Sequence, residues 1–155
     1  MNYLYFDSSA LAKRYYEERG TDLIGEICQK ENIIIVISDI AVAELGSAFA
    51  RKLRERNITD NEYELMLNDF VKDCLNEYLR IAISFDVLIL AIHLAKRNSL
   101  KASDAIQLAC AIDARETIVF NESKSDIFFV VADDALEKAA NFEGFKTINP
   151  NTYDE

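Results

Sequence analysis

Residues 33–37 read Ile-Ile-Ile-Val-Ile, between Asn32 and Ser38. A run of β-branched side chains without polar alternation suits a strand covered on both faces. Such strands belong to parallel sheets with helices above and below. Ile127-Phe128-Phe129-Val130-Val131 repeats the pattern late in the chain, and Tyr3 to Phe6 is a shorter version at the start. Arg80 to Ser84 and Lys146 to Ile148 supply two weaker strand signals.

Helical segments separate these runs. Ser8 and Ser9 offer capping hydroxyls ahead of a helix read through Ala10 to Glu18 and stopped near Gly20. Thr21 and Asp22 open a short helix carrying Ile24 and Ile27. Ser38 or Asp39 caps one running to about Asn57, with Ile40, Ala41, Glu44, Leu45, Ala48 and Phe49 on one side. Thr59-Asp60-Asn61-Glu62 opens the next, and Asp86 begins another that ends near Asn98. A strongly apolar helix starts near Ser103. Thr117 to Phe120 fits either a strand or a helix end, and residues 121–125 read as loop. A last helix follows Asp133-Asp134 and reaches Asn141. Strands alternating with helices predict an α/β fold, a mostly parallel sheet of four to five strands with helices on both faces. There are no repeats and no linker, so residues 1–155 read as a single domain, within the roughly 100–200 residues of one core.

In open sheets of this kind ligands bind beyond the carboxyl ends of the strands. The 27 acidic residues make any single acid uninformative, so position has to select among them. Asp7 follows the first strand directly and Asp133 follows the fourth. Glu44 lies on the apolar stripe of its helix. Asp104 opens an apolar stretch with no further charge until Asp113. Each also has an ordinary reading. Asp7 and Asp133 suit the N-caps of the next helices, Asp104 suits a helix N-terminus, and Glu44 can be paired with Arg51. An ionised carboxylate on an apolar face needs such a partner.

The chain resembles the PIN-domain nucleases, and especially the VapC-type toxins of toxin–antitoxin pairs, in four places that together span almost its whole length. These are Asp7-Ser8-Ser9-Ala10-Leu11-Ala12-Lys13-Arg14-Tyr15, Ser38 six residues before Glu44, Leu100 to Ala105 around Asp104, and Val131-Ala132-Asp133-Asp134-Ala135-Leu136. The family usually places Ser or Thr where this chain has Val131, and the segment from Glu116 to Asp126 is longer than its usual connection. The resemblance implies a PIN-like three-layer α/β/α fold and a metal-dependent endoribonuclease. It also implies an RNA substrate, a cognate antitoxin protein as partner, and a homodimer, for which the apolar residues of the third and fourth helices offer a surface. Asp7, Glu44, Asp104 and Asp133 are the implied catalytic acids, with Asp133 preferred to Asp134 by its spacing to Leu136. Converging carboxylates with no His or Cys suit Mg²⁺ or Mn²⁺, with Asp7 and Asp104 as direct ligands. Ser8, Lys13 and Arg14 are the candidate substrate contacts. A PIN-fold binding module without catalysis, and an RNA-processing nuclease without an antitoxin, are the alternatives.

Composition narrows the rest. With 17 basic residues the formal charge is −10, which excludes a protein gripping nucleic acid by bulk positive charge. A phosphate-bearing substrate then needs local bases or a cation. One His and no close Cys pair argue against a zinc site, and no glycine-rich phosphate loop occurs. Cys28, Cys74 and Cys110 are far apart and odd in number, as in a reducing compartment. The start lacks the basic segment of a signal peptide and no apolar run is long enough to span a membrane, so a cytoplasmic location is expected. His93, among Leu90, Ile92 and Leu94, reads as a packing residue. The basic cluster from Arg51 to Arg56 reads as a helix C-terminus complementing its dipole.

Overall fold

The computed structural model describes residues 2–121 and 126–152. In chain order the elements are β1 (Asn2–Phe6), α1 (Ser8–Ala12), α2 (Thr21–Cys28), β2 (Ile33–Ser38), α3 (Asp39–Arg54), α4 (Asp60–Asn76) and β3 (Leu79–Ile81). Then follow α5 (Phe85–Asn98), α6 (Ala102–Asn121), β4 (Ile127–Val130), α7 (Asp134–Phe142) and β5 (Lys146–Ile148). The strands form one sheet of order β3-β2-β1-β4-β5, parallel at every junction. This is the expected α/β fold with a parallel sheet.

The doubly apolar strands are explained by the layers. Tyr3 and Tyr5 of β1, Val36 of β2 and Phe129 of β4 face α5, α6 and α7, where Leu94, Leu108 and Leu136 are buried. Their alternates Leu4, Phe6, Ile35, Ile37 and Val130 face the other side, against Leu11, Leu45, Phe49 and Phe70 of α1, α3 and α4. These residues of the three central strands thus meet a helix whichever way they point. From β1 the chain first builds outward through β2 and β3, then returns to lay β4 on the other flank of β1. The β1–β4 border, in register from Tyr3 opposite Ile127 to Phe6 opposite Val130, is therefore the switch point of the sheet, where a crevice opens at the carboxyl ends.

Several local readings are corrected. The first helix ends at Ala12 rather than near Gly20, because the N–H groups of Lys13, Arg14 and Tyr15 bond back only three residues. This tight turn carries the Tyr15 ring edge-on to Phe49 and Phe70. The third helix stops at Arg54, and Arg56 turns the chain with φ 59°. Residues 117–120 are helix, the last turn of α6, where Ile118 is buried and Val119 and Phe120 are exposed. Of the loop expected at 121–125, Asn121 closes α6 and the remainder lies outside the described residues. His93 is exposed on α5 rather than packed, because α5 buries Val87, Ala91 and Leu94 along a different stripe. Among the described residues no helix is long and apolar enough to cross a membrane.

Candidate active site

A cleft of about 540 Å³ opens at the carboxyl edge of the sheet. Asp7, Glu44, Asp104 and Asp133 all line it, with Ser8, Lys13 and Gln107. Four elements deliver the four acids. Asp7 leaves β1 in extended conformation, its backbone N–H donating to Val130 O on β4 at 3.1 Å. Glu44 comes from α3, Asp104 from the first turn of α6, and Asp133 from the turn after β4.

Asp7 and Asp133 also act as helix caps. Asp7 Oδ1 accepts from Ala10 N at 2.9 Å and Asp133 Oδ1 accepts from Leu136 N at 2.9 Å. The ordinary and the chemical readings therefore coexist, since a cap occupies one oxygen and orients the other. Asp7 Oδ2 accepts from Ser9 Oγ at 2.6 Å. That hydroxyl also accepts from Ala132 N at 3.3 Å, tying the end of β1 to the segment before Asp133. Val131 is fully buried in the core beside Phe129 and Leu136, so Ser9 supplies a hydroxyl at this end of the cleft.

Asp7 is 4% exposed, and no salt bridge reaches it among the described residues. Burial outweighs the Ser9 and Ala10 hydrogen bonds and pushes its carboxyl up to about 6. Burial also raises Asp104, with Lys101 opposing and the charges of Asp133 and Glu44 reinforcing the rise. The nearest Lys101–Asp104 contact is 3.9 Å.

Glu44 does not pair with Arg51. Its Oε2 accepts from Ser8 Oγ and, at 2.8 Å, from Gln107 Nε2. Gln107 is 2% exposed. Its Oε1 accepts from Tyr5 Oη and Ser38 Oγ, both at 2.8 Å, while Nε2 also donates to Ser8 Oγ at 2.8 Å. The Glu44 carboxylate, an acceptor, fixes which way the amide faces, so the NH₂ points at Ser8 and Glu44 and the amide oxygen at the two buried hydroxyls. Sequence reasoning missed Gln107. Its signal is a polar residue three positions after Asp104 within an otherwise apolar stretch.

Lys13, Arg51 and Lys101 line the same cleft. Arg14 does not. Its guanidinium pairs with Asp73 at 3.2 Å and Glu77 at 3.0 Å and lies 5.4 Å from the Tyr78 ring centroid. It clamps α4 instead of facing the acids. Asn151, also missed, closes one wall with its Nδ2 on Ala132 O at 3.2 Å.

The donors offered to a cation are all oxygen, and Asp7 is a buried carboxylate supported only by neutral donors. That chemistry fits Mg²⁺ or Mn²⁺ with water completing the shell. Among the described residues no three His, Cys, Asp or Glu side chains already converge on one metal position.

No family model and no curated protein matches the sequence. Solved structures do match the fold. FitAcB from Neisseria gonorrhoeae is 15% identical with TM-score 0.64, covering 97% of this chain and 99% of that one. A toxin–antitoxin complex from Klebsiella pneumoniae is 18% identical with TM-score 0.59, covering 98% and 99%. VapBC2 from Rickettsia felis, bound to a DNA fragment from their promoter, is 15% identical with TM-score 0.59, covering 96% and 98%. With the strand order and layers described above, these matches establish that the chain has the PIN-like α/β/α fold.

Proposed function

We propose that the chain is a Mg²⁺- or Mn²⁺-dependent endoribonuclease, the cytoplasmic toxin of a toxin–antitoxin pair. The observation that carries this reading is the meeting of Asp7, Glu44, Asp104 and Asp133 in one cleft at the switch point of the sheet. Asp7 and Asp104 would hold the cation, which when bound supplies charge neutralisation and Lewis acidity toward a phosphodiester. Glu44, held by Ser8 and Gln107, would accept a proton from water. Asp133, whose Oδ1 caps Leu136 N, would share that task through its other oxygen. Lys13, Arg51 and Lys101 offset the repulsion between a phosphate backbone and the acids. Ser8 serves by orienting Glu44, and Arg14 is left out of substrate binding.

Likeness of fold to a solved toxin–antitoxin complex supports an antitoxin partner, and a charge of −10 suits a basic one. A homodimer is part of the reading. Leu65, Val71 and Leu75 expose apolar surface on α4, and Phe85, Leu88, Ile89 and Ile92 do so on α5. No large apolar residue of α3 is among the exposed ones, so α5 takes its place in the proposed surface.

The test is cleavage of labelled structured RNAs with Mg²⁺, with Mn²⁺ and with chelator, beside Asp7→Asn and Asp104→Asn. Metal-dependent cleavage lost in both variants is expected. No cleavage and no metal-dependent stabilisation of the wild type would overturn the enzyme reading.

A further inference from the structure

The turn between α1 and α2 places one carboxylate where the cleft wall is otherwise basic. Lys13 is 4% exposed, and its Nζ lies 3.5 Å from Glu18 Oε2. Glu18 Oε1 lies 3.7 Å from Lys52 Nζ, which also sits 3.7 Å from the Tyr16 ring centroid. Arg51, adjacent to Lys52, lines the cleft with Lys13, Tyr16 and Glu18. It has no salt bridge among the described residues. One acid therefore spans two ammonium groups, one oxygen to each, next to a guanidinium without an anion.

We propose that Lys13, Arg51 and Lys52 form a phosphate subsite for an RNA strand entering the cleft, and that Glu18 occupies it when RNA is absent. The identity of the ligand rests on the nuclease reading; the exchange of anions rests on the geometry. Both contacts are longer than the roughly 2.7–2.9 Å of strong charge-assisted hydrogen bonds, so the carboxylate holds its place weakly. A phosphodiester presents its charge on two oxygens and bridges the same cations. An anion beside a buried lysine offsets the cost of its burial, and the exchange keeps Lys13 paired in both states. The Glu18 backbone is fixed, its N–H donating to Thr21 Oγ1 at 2.9 Å and its carbonyl accepting from Thr21 N at 3.1 Å. Only the half-exposed side chain has to swing away, a rapid motion that leaves the turn intact.

The experiment is fluorescence anisotropy of a short labelled single-stranded oligoribonucleotide, in chelator so that nothing is cleaved. Glu18→Gln is compared with Glu17→Gln, which removes the same charge from an exposed neighbour. Binding roughly three- to ten-fold tighter is expected for Glu18→Gln, the factor released by two weak ion pairs. Glu17→Gln should gain much less. Lys52→Met should weaken binding and shrink the gain from Glu18→Gln. Lys13, being buried, is left in place, and far-UV circular dichroism checks that Glu18→Gln, which removes its anion, stays folded. Equal gains from both glutamates, no gain from Glu18→Gln, or no RNA binding by either protein would overturn the subsite. Tighter binding by Glu18→Gln in a protein that cleaves no RNA under any metal would leave the subsite standing and remove the nuclease reading.

Discussion

Gln107→Leu tests whether the amide on α6 is the hub of the cleft. The substitution roughly preserves volume and removes four hydrogen bonds, those to Tyr5, Ser38, Ser8 and Glu44. Tyr5 and Ser38 are both fully buried. Their hydroxyls are close enough to bond each other, so the variant leaves one buried donor without an acceptor rather than two. An orphaned donor costs about 1–3 kcal/mol, and loss of a donor to a carboxylate adds a comparable amount. Glu44 is only half-buried and recovers part of that from water, so the net loss should be about 3 kcal/mol. In a chain this long that lowers Tm by roughly 6–12 °C. The assay is urea denaturation followed by far-UV circular dichroism, run as a cycle with the pair Tyr5→Phe and Ser38→Ala. Because that pair deletes both hydroxyl protons that Gln107 Oε1 accepts, Gln107→Leu orphans no buried donor in its background, and the combined variant should be more stable than the sum predicts, by about 1–2 kcal/mol. A Gln107→Leu effect under about 0.5 kcal/mol, or strict additivity with that pair, would refute the hub.

Two further outcomes concern backbone and charge. Burial raises the folded Asp7 carboxyl from 3.8 to about 6, so the folded state binds this proton more tightly than the unfolded chain. The Asp7 contribution to stability is therefore best below about pH 4, declines up to about pH 6 and is flat above; in chelator at pH 7, Asp7→Asn should be more stable than wild type by about 2–3 kcal/mol and lack that slope. Urea midpoints across pH check this, and Mg²⁺ or Mn²⁺ should stabilise the wild type alone. Gly20→Ala meets two obstacles at once, since φ is +87° and an added Cβ would lie 2.4 Å from Pro150 O. It should cost more than about 1 kcal/mol in the same denaturation assay, and a neutral result would mean that the 149–152 turn does not pack on Gly20.

What the sequence made legible were features whose physics is local. A doubly apolar strand can only be central, so the sheet followed from residues 33–37 and 127–131, and Asp7 and Asp133 followed from the strand ends. Glu44 stood out because a charge on an apolar stripe needs an explanation. Gln107 raised no such alarm, being neutral, yet it is the residue that holds Glu44 through partners 63 to 102 positions away in sequence. Arg14 failed for the complementary reason. Nearness to Asp7 in sequence says nothing of direction once α1 breaks after Ala12, and the acids that capture it lie about sixty residues on. His93 misled because α5 is apolar nearly all round, the pattern of a buried helix, whereas the described chain covers only the stripe through Val87, Ala91 and Leu94. Phe85 and Ile92 stay 75% and 64% exposed. A sequence written for burial on both sides of a helix that this chain covers on one side is the strongest reason, in the sequence itself, to propose a second copy against α5.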